Sequence, residues 1–258
     1  MKKTLTITIG LALLAAIAAA IIVEQPFSRV KDSYFTPDTD KLRQVPANLL
    51  VIRPTHFPHA YGKIRHYHED EELARTVGQN VSFQMMMAEA YDCDFAQVVL
   101  PPGAPKSNFD FLVTRPGHVR RQLRTAIQKQ LGYIAHRETQ DTDALVLQVI
   151  NPALPGLTPS ADDENSDVNY KGGKLYFTHK QLDYIVDGLE QGLDKPILDQ
   201  TGLTNYYDFS VAWNANVEKR MQDGSFSLDG TKKVLASWGL GLEATNTPLE
   251  MCVVEKAP

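Results

Sequence analysis

The chain has 258 residues, of which 43% are hydrophobic and 22% are charged, and its formal net charge is −5. This length is enough for one large folded domain or two small ones. An acidic chain without a stripe of Lys and Arg argues against sequence-independent binding to nucleic acid, because that affinity comes mainly from neutralising phosphates. Two cysteines, Cys93 and Cys252, are too few to form a disulfide framework, and the sequence leaves open whether they pair.

The N-terminus predicts a targeting segment. Two lysines precede 20 uncharged residues, Thr4–Val23, a length that can span a bilayer as a helix. Ala18 and Ala20 also form a small-x-small cleavage site, so residues 1–23 are predicted to be a signal peptide or a membrane anchor. Both alternatives place the rest of the chain outside the cytoplasm, in the periplasm or another extracytoplasmic compartment, by the positive-inside rule. Residues 24–46 are polar and contain three prolines, which predicts a tether.

The next part of the chain predicts a first folded unit at residues 47–150. Its elements follow from apolar periodicity and from turn residues. In order, they are a strand at 48–54, an irregular arm at 56–78, a helix that is capped by Asn80 or Ser82 and runs to Tyr91, strands at 95–100 and 108–113, a helix at 118–132, and a hairpin about residues 140–143.

An acidic, Pro- and Gly-rich segment, 151–174, is predicted to be an exposed linker, and it leads to a second unit at 175–258. The elements predicted there are a helix at 179–193 capped by Thr178, strands at 196–199 and 206–213, a loop at 214–226, a helix at 227–239, and a hairpin about 246–248. The recurring order indicates duplication. The predicted fold class is therefore α+β: two helix–strand–strand–helix–strand–strand units, with antiparallel sheets that carry helices on one face, preceded by an N-terminal hydrophobic helix.

One string in the second unit carries a family resemblance. Residues 193–216, LDKPILDQTGLTNYYDFSVAWNAN, resemble the LGRPVVDKTGLTGRYDFTLEWTPD signature of an uncharacterised exported bacterial family that is expanded in Acidobacteria. Its members end in a domain of unknown function, and LASWGLGLEATNTPLEMCVVEK, residues 235–256, is similar to the end of that domain. The resemblance covers residues 48–256. It implies a signal peptide or anchor, and it supplies no catalytic residue and no cofactor.

The chain departs from the family pattern at Asn205, Tyr206 and Ala212. It also has no HExxH motif, although some family members are fused to membrane metallopeptidase modules. The helix-plus-hairpin units resemble, at the level of fold alone, the short docking domains at the periplasmic face of secretins and TonB-dependent receptors.

A histidine-rich arm is the candidate metal site. Four histidines precede four consecutive carboxylates at 69–72, and the histidines are His56, His59, His66 and His68. Imidazole nitrogen and carboxylate oxygen are ligands of Zn²⁺. The spacing matches no standard zinc motif, however, so the arm is predicted to be either a metal site or a solvated polar loop.

Five residues of the strands and turns are further candidates. Asp110 and Asp208 occupy equivalent positions in the two predicted units, so they form either an acid/base couple or two structural carboxylates that face solvent or cap a turn. Asp199, Thr201 and Gly202 predict a turn that sets the register of the next strand, with a recognition loop as the alternative.

These features predict a non-enzymatic, membrane-tethered domain that binds a protein or peptide partner in the cell envelope, for instance by edge-strand addition. No GxSxG nucleophile motif occurs and no cofactor is indicated. Two alternatives remain at this point: a metal-dependent hydrolase that uses the histidine-rich arm, and a small-ligand sensor with a cleft between the two units.

Overall fold

The computed structural model describes residues 30–36, 44–60, 62–67, 75–115, 117–161, 166–222 and 225–258. The predicted targeting segment, residues 1–23, and most of the predicted tether lie outside these residues. Within the described ranges, no helix has the length and apolar character needed to cross a membrane.

Strands and helices alternate along the described chain. The strands are β1 (Leu50–Pro54), β2 (Lys63–Tyr67), β3 (Arg75–Val81), β4 (Val98–Val99), β5 (Phe109–Val113), β6 (Tyr133–Val149), β7 (Thr158–Pro159), β8 (Asp167–Lys171), β9 (Lys174–Lys180), β10 (Ile197–Asp199), β11 (Tyr207–Ala212) and β12 (Leu240–Lys256). The α-helices are α1 (Phe83–Tyr91), α2 (Val119–Leu131), α3 (Leu182–Leu193), α4 (Ala215–Gln222) and α5 (Leu228–Ser237). The predicted mixture of helices and antiparallel sheets is confirmed.

The chain forms two compact units. The first unit comprises the described residues of 30–83 and 105–131, and its antiparallel sheet has the order β1-β5-β3-β2. Cross-strand neighbours Val51, Leu112 and Val77 lie in one core cluster of this unit. In the neighbouring row, Gly78 leaves room for an aromatic ring: a Cβ on Gly78 would lie 2.2 Å from the Phe111 ring.

The second unit comprises the described residues of 84–104 and 132–258. It contains two sheets, of order β10-β6-β12-β4 and β7-β11-β9-β8. In the first of these, β6 and β12 are antiparallel, whereas the outer strands β10 and β4 pair in parallel. The apolar residues of β6, β9, β11 and β12 pack with α3 and α5 in one core cluster, which includes Leu147, Phe209, Leu235, Trp238 and Leu240.

Both predicted hairpins are wrong, because β6 and β12 are each a continuous strand of 17 residues. The two strands pair along their full length, from Tyr133↔Lys256 to Val149↔Leu240. Apolar residues are buried at both ends of this ribbon, and the polar residues between them are largely exposed. That polar middle resembles a turn in sequence. Pro248, which lies opposite Asp141, is tolerated because a proline on a strand with an open side need not interrupt the ladder.

Three segments predicted as irregular contain regular structure. The arm at 56–78 contains β2 and most of β3, the linker at 151–174 contains β7 and β8, and the loop at 214–226 contains α4. Thr178 lies in β9, and the residue that precedes α3 is Gln181. Apolar periodicity does not predict these elements, because many of their residues are polar. The strand β3, for example, has the sequence RTVGQNV and is buried at six of its seven positions, so it lacks the apolar alternation of a half-buried strand.

The two compact units also divide the chain differently from the predicted units at 47–150 and 175–258. The reason is the partner of β6. Because β6 pairs with β12 rather than folding back on itself, residues 132–150 belong to the second unit.

Candidate functional site

The histidines of the predicted metal site are not brought together where the structure describes them. The Nδ1 atom of His56 lies 3.0 Å from Asp32 Oδ1, and the Nδ1 atom of His66 lies 3.2 Å from Thr76 Oγ1. His68 and the carboxylates at 69–72 lie outside the described residues. Among the described residues, no group of three or more His, Cys, Asp or Glu side chains could hold a metal ion.

Asp110 is fully buried in the first unit and has a complete set of donors. Its carboxylate accepts hydrogen bonds from Thr55 Oγ1 at 2.8 Å, from the His56 and Asn80 backbone N–H groups at 3.0 Å, and from Arg53 Nε at 3.3 Å. A carboxylate that is buried and saturated with donors has no lone pair aimed at a substrate. The expectation that Asp110 faces solvent is therefore wrong, and its position is structural.

Arg53 shares the burial of Asp110. Its side chain is 3% exposed, its guanidinium donates to Asp32 Oδ1 at 2.6 Å, and its Cζ atom lies 3.9 Å from the centroid of the Phe35 ring. The buried charge of Arg53 is thus balanced by two carboxylates and covered by an aromatic face. This network connects the segment at 30–35 to the β1–β5 pair.

Asp208 has a related position in the second unit. Its Oδ1 accepts hydrogen bonds from Ser160 Oγ and from the backbone N–H of His179, at 2.9 Å for the latter. His179 has a left-handed backbone with φ +53°, and its ring stacks on Tyr206 with centroids 3.9 Å apart. The carboxylate holds the backbone where the β9–β11 pairing shifts register, so it too has a structural role.

The turn after β10 is held by its own side chains. Asp199 Oδ1 accepts from the Thr201 N–H at 2.8 Å and from Thr201 Oγ1 at 2.7 Å, and Thr201 Oγ1 accepts from the Leu203 N–H at 3.2 Å. Gly202 has φ +67°, a backbone conformation that glycine adopts without steric cost. These contacts lie within the turn and stabilise it locally.

The outer strand β8 is a candidate binding surface, since the residues discussed above have structural roles. It pairs only with β9 among the described strands, and all five of its residues are exposed. The turn between β8 and β9, Gly172-Gly173, has φ +58° and +77°, as a two-residue type I′ turn requires. The residues that close such a turn, Lys171 and Lys174, form a hydrogen-bonded pair. Pairs alternate along an antiparallel ladder, so the backbone groups of Val168 and Tyr170 point to the open edge.

Apolar side chains extend along this edge. Val168 and Tyr170 lie opposite Phe177 and Leu175 of β9, on the face of the sheet that packs into the core cluster. They are nevertheless 36% and 62% exposed, and Tyr184 of α3, which contacts the Phe177 ring, is 47% exposed. We call Val168, Tyr170 and Tyr184 the edge strip. Exposed apolar groups next to open backbone groups are the features that strand-addition sites combine.

Sequence reasoning missed the edge strip. The segment that contains β8, residues 151–174, has the composition of a linker because it is rich in Asp, Asn, Pro and Gly. A signal was present nonetheless: VNYKGGKLYF has alternating apolar residues on both sides of Gly-Gly, which is the pattern of a type I′ hairpin.

The comparisons with known proteins find a domain of unknown function in the part of the chain that carries the resemblance. Residues 84–257, about two thirds of the chain, match the family model described as "Protein of unknown function (DUF3738)". No curated protein and no solved structure gives a match.

Proposed function

Because this chain belongs to the DUF3738 family, for which no activity is defined, we propose a function from its surface: it binds an extended segment of a protein or peptide by strand addition at β8. The observation that carries this proposal is an outer strand whose five residues are all exposed and whose outward backbone groups adjoin the edge strip. An added strand satisfies backbone groups of both chains, and apolar side chains at alternate positions supply further affinity.

One outward group on β8 is already occupied. The backbone N–H of Val168 donates to Asp167 Oδ1 at 2.7 Å, and Asp167 Oδ2 accepts from Asn169 Nδ2. Local capping of an edge amide limits pairing between copies of the same chain, in the way that natural edge strands are protected. Among the described residues, the C=O group of Val168 and both backbone groups of Tyr170 have no partner and are available for an incoming strand.

Charge at the hairpin end indicates the chemistry of the partner. Lys171 and Lys174 face each other across the pair, and like charges in directly opposite positions destabilise a sheet. At the other end of β9, the Nζ atom of Lys180 lies 5.1 Å from the centroid of the Tyr184 ring, in the edge strip. A partner that places a carboxylate near Lys171 and Lys174 relieves the repulsion between them. The expected partner is therefore an extended peptide with alternating apolar residues and at least one acidic residue.

The test is selection of linear random peptides displayed on phage against the purified chain. Selected sequences are synthesised, and their affinity for the wild-type chain is measured by fluorescence anisotropy. Tyr170→Pro removes the outward N–H without removing a bond to β9, so it should weaken binding at least tenfold, which is about 1.4 kcal/mol. Circular dichroism checks that this variant is folded.

Two exposed valines provide a matched pair of variants. Val168 lies on β8, whereas Val234 lies on α5 and is 46% exposed. Val168→Lys should weaken peptide binding, and Val234→Lys should leave it unchanged. The proposal is wrong if no peptide is enriched, or if the selected peptides bind wild type and Tyr170→Pro with equal affinity.

The cellular setting is part of the same proposal. We infer from the uncharged run at 4–23 that the chain is exported and tethered to the membrane, with its binding surface in the cell envelope. A fusion of residues 1–46 to alkaline phosphatase, an enzyme that is active only after export, tests this inference. An inactive fusion that accumulates in the cytoplasm would contradict it.

We further propose that the body of the chain arose by duplication. The support is the recurrence of one order of pairing, β1-β5-β3-β2 and β7-β11-β9-β8, together with equivalent carboxylates. Asp110 pairs with Arg53 of β1, as Asp208 pairs with Thr158 of β7. Each carboxylate also holds the N–H of a residue with positive φ, Asn80 or His179.

A further inference from the structure

The two cysteines of the chain meet within the second unit. Cys252 of β12 lies directly opposite Arg137 of β6, so the two side chains are neighbours on one face of the ribbon. The Arg137 guanidinium donates to the backbone C=O of Asp92 at 2.6 Å, and Cys93 is the next residue. The Cys93 thiol donates a hydrogen bond to the backbone C=O of Ala88 at 3.9 Å, and the thiols of Cys93 and Cys252 are close enough for each to shift the pKa of the other.

The two thiols differ in exposure. Cys252 is 1% exposed, whereas Cys93 lies at an intermediate depth, after the end of α1. Both are free thiols in the structure. A reagent in solution therefore reaches Cys93 first, and Cys252 is held where it can react with Cys93.

The electrostatics of the pair favour one thiolate and oppose a second. Contact with the Cys93 thiol lowers the pKa of Cys252; burial opposes this effect, and the charge of Arg137 adds to it. Contact with the Cys252 side chain, together with burial and the negative charge of Cys252, raises the pKa of Cys93. The thiolate is the reactive form of cysteine. A pair that holds one proton and one thiolate therefore contains the species that reacts in thiol–disulfide exchange.

We propose that Cys93 and Cys252 are a redox-active dithiol, which a disulfide-containing oxidant converts to an intramolecular disulfide. Cys93 releases its proton to water, and the Cys93 thiolate attacks one sulfur of the oxidant RS–SR. The S–S bond of the oxidant breaks, and the first RS⁻ leaves and takes a proton from water. Cys252 then gives its proton to water and attacks the Cys93 sulfur, and the second RS⁻ that leaves takes a proton from water. In total, two protein thiols are oxidised, and one RS–SR is reduced to two RSH.

The crosslink joins distant parts of the sequence. It would connect the segment between α1 and β4 to β12, and these are already neighbours because β4 pairs with β12 from Cys252↔Val98 onward. The disulfide thus fixes an existing contact instead of creating a new one. It needs no refolding, so oxidation and reduction can both take place in the folded chain.

Oxidised glutathione is the probe, applied to the full chain at neutral pH. The reaction is quenched by alkylation under denaturing conditions, and the products are identified by intact mass and peptide mapping. Wild type should lose two hydrogens, bind no alkylating reagent, and yield a linked pair of peptides that contain Cys93 and Cys252. Reduction with dithiothreitol should restore two alkylatable thiols.

Single variants separate the two steps. Cys252→Ser should keep a stable glutathione adduct on Cys93, because nothing resolves it, and Cys93→Ser should react at least tenfold more slowly, because Cys252 is buried. Arg137→Gln should slow the oxidation several-fold at neutral pH, with recovery at pH 9, where one thiol of the pair ionises without its help.

Three results would each overturn the proposal. Wild type could retain two thiols over the time in which Cys252→Ser becomes fully modified, or it could keep a glutathione adduct as stable as that of the variant. In the third case, Cys252→Ser would acquire no adduct, which would mean that Cys93 is inaccessible.

Discussion

Replacement of Glu190 by Gln should make the second unit more stable at high pH and leave it unchanged at low pH. Glu190 lies on α3 and is 6% exposed, and its Oε1 accepts a hydrogen bond from the Ile197 backbone N–H at 2.7 Å. The charged groups that act on it are the carboxylates of Asp94 and Asp187. A glutamine keeps the acceptor oxygen and removes the titration.

The size of the effect follows from the pKa of Glu190, which is raised from 4.5 to about 7. Burial is the main cause, the Ile197 hydrogen bond opposes it, and Asp94 and Asp187 add to it. Between pH 4.5 and 7, the folded chain holds a proton that the unfolded chain releases, so the free energy of unfolding falls as pH rises through this window. The full loss is about 3 kcal/mol, because one pKa unit corresponds to about 1.4 kcal/mol.

The assay is urea unfolding followed by tryptophan fluorescence between pH 4 and pH 8.5. Trp213 and Trp238 both belong to the second unit, so the signal reports on the part of the chain that contains Glu190. The quantity of interest is the difference between Glu190→Gln and wild type at each pH, since the pH dependence of other groups cancels in that difference. Glu243→Gln, an exposed replacement on β12, is the matched control and should change stability by less than about 0.5 kcal/mol.

Two results would refute this reasoning. A stability difference that is constant with pH would mean that the pKa of Glu190 is the same in the folded and unfolded chains. A Glu190→Gln variant less stable than wild type at pH 8 would mean that the charged carboxylate is stabilised by a cation or by further hydrogen bonds.

The remaining predictions concern the first unit and the thiol pair. Asp110→Ala should destabilise the first unit by about 3–5 kcal/mol in urea unfolding followed by circular dichroism, because its buried arginine partner loses a counter-charge; a loss under 1 kcal/mol would contradict the conclusion that the Asp110 carboxylate is saturated with hydrogen bonds. Gly78→Ala should cost about 2–3 kcal/mol by the same assay, since the new methyl group meets the Phe111 ring, and Gly78→Ala with Phe111→Leu should recover part of the loss. Oxidation of the thiol pair, which closes a loop of about 160 residues, should raise stability by up to about 5 kcal/mol, and equal midpoints for the oxidised and reduced chains would argue against it.

The elements with regular apolar spacing could be predicted from sequence, and those without it could not. The predicted bounds of α2 and α5 agree with the structure to within about two residues, because Leu123 and Ile127, or Leu235 and Trp238, recur at helical spacing and are buried. The apolar pattern does not predict β3, because the buried residues of this strand include Thr76, Gln79 and Asn80. Such a strand is stabilised by neighbours that local sequence does not reveal.

Long-range pairing was the other missing information. A local pattern cannot distinguish a hairpin from a continuous strand whose polar middle is solvated, so the partner of β6 had to come from the structure. The same holds for Arg53. Its sequence neighbours, Ile52 and Pro54, give no sign that its guanidinium balances Asp110, which is 57 residues away. The candidate site was hidden for a different reason, since β8 has the composition of a linker.

The signature string and the candidate binding surface are separate parts of the second unit. Asp199, Thr201 and Gly202 stabilise a turn, and Asp208 holds the backbone of His179 where β9 shifts register against β11. That register fixes which residues of β9 face the core, and β8 inherits its orientation through pairing with β9. The signature therefore affects the edge strip only indirectly, through the register of β9. It maintains a scaffold, and variation in partner specificity is expected on β8 instead of within the signature.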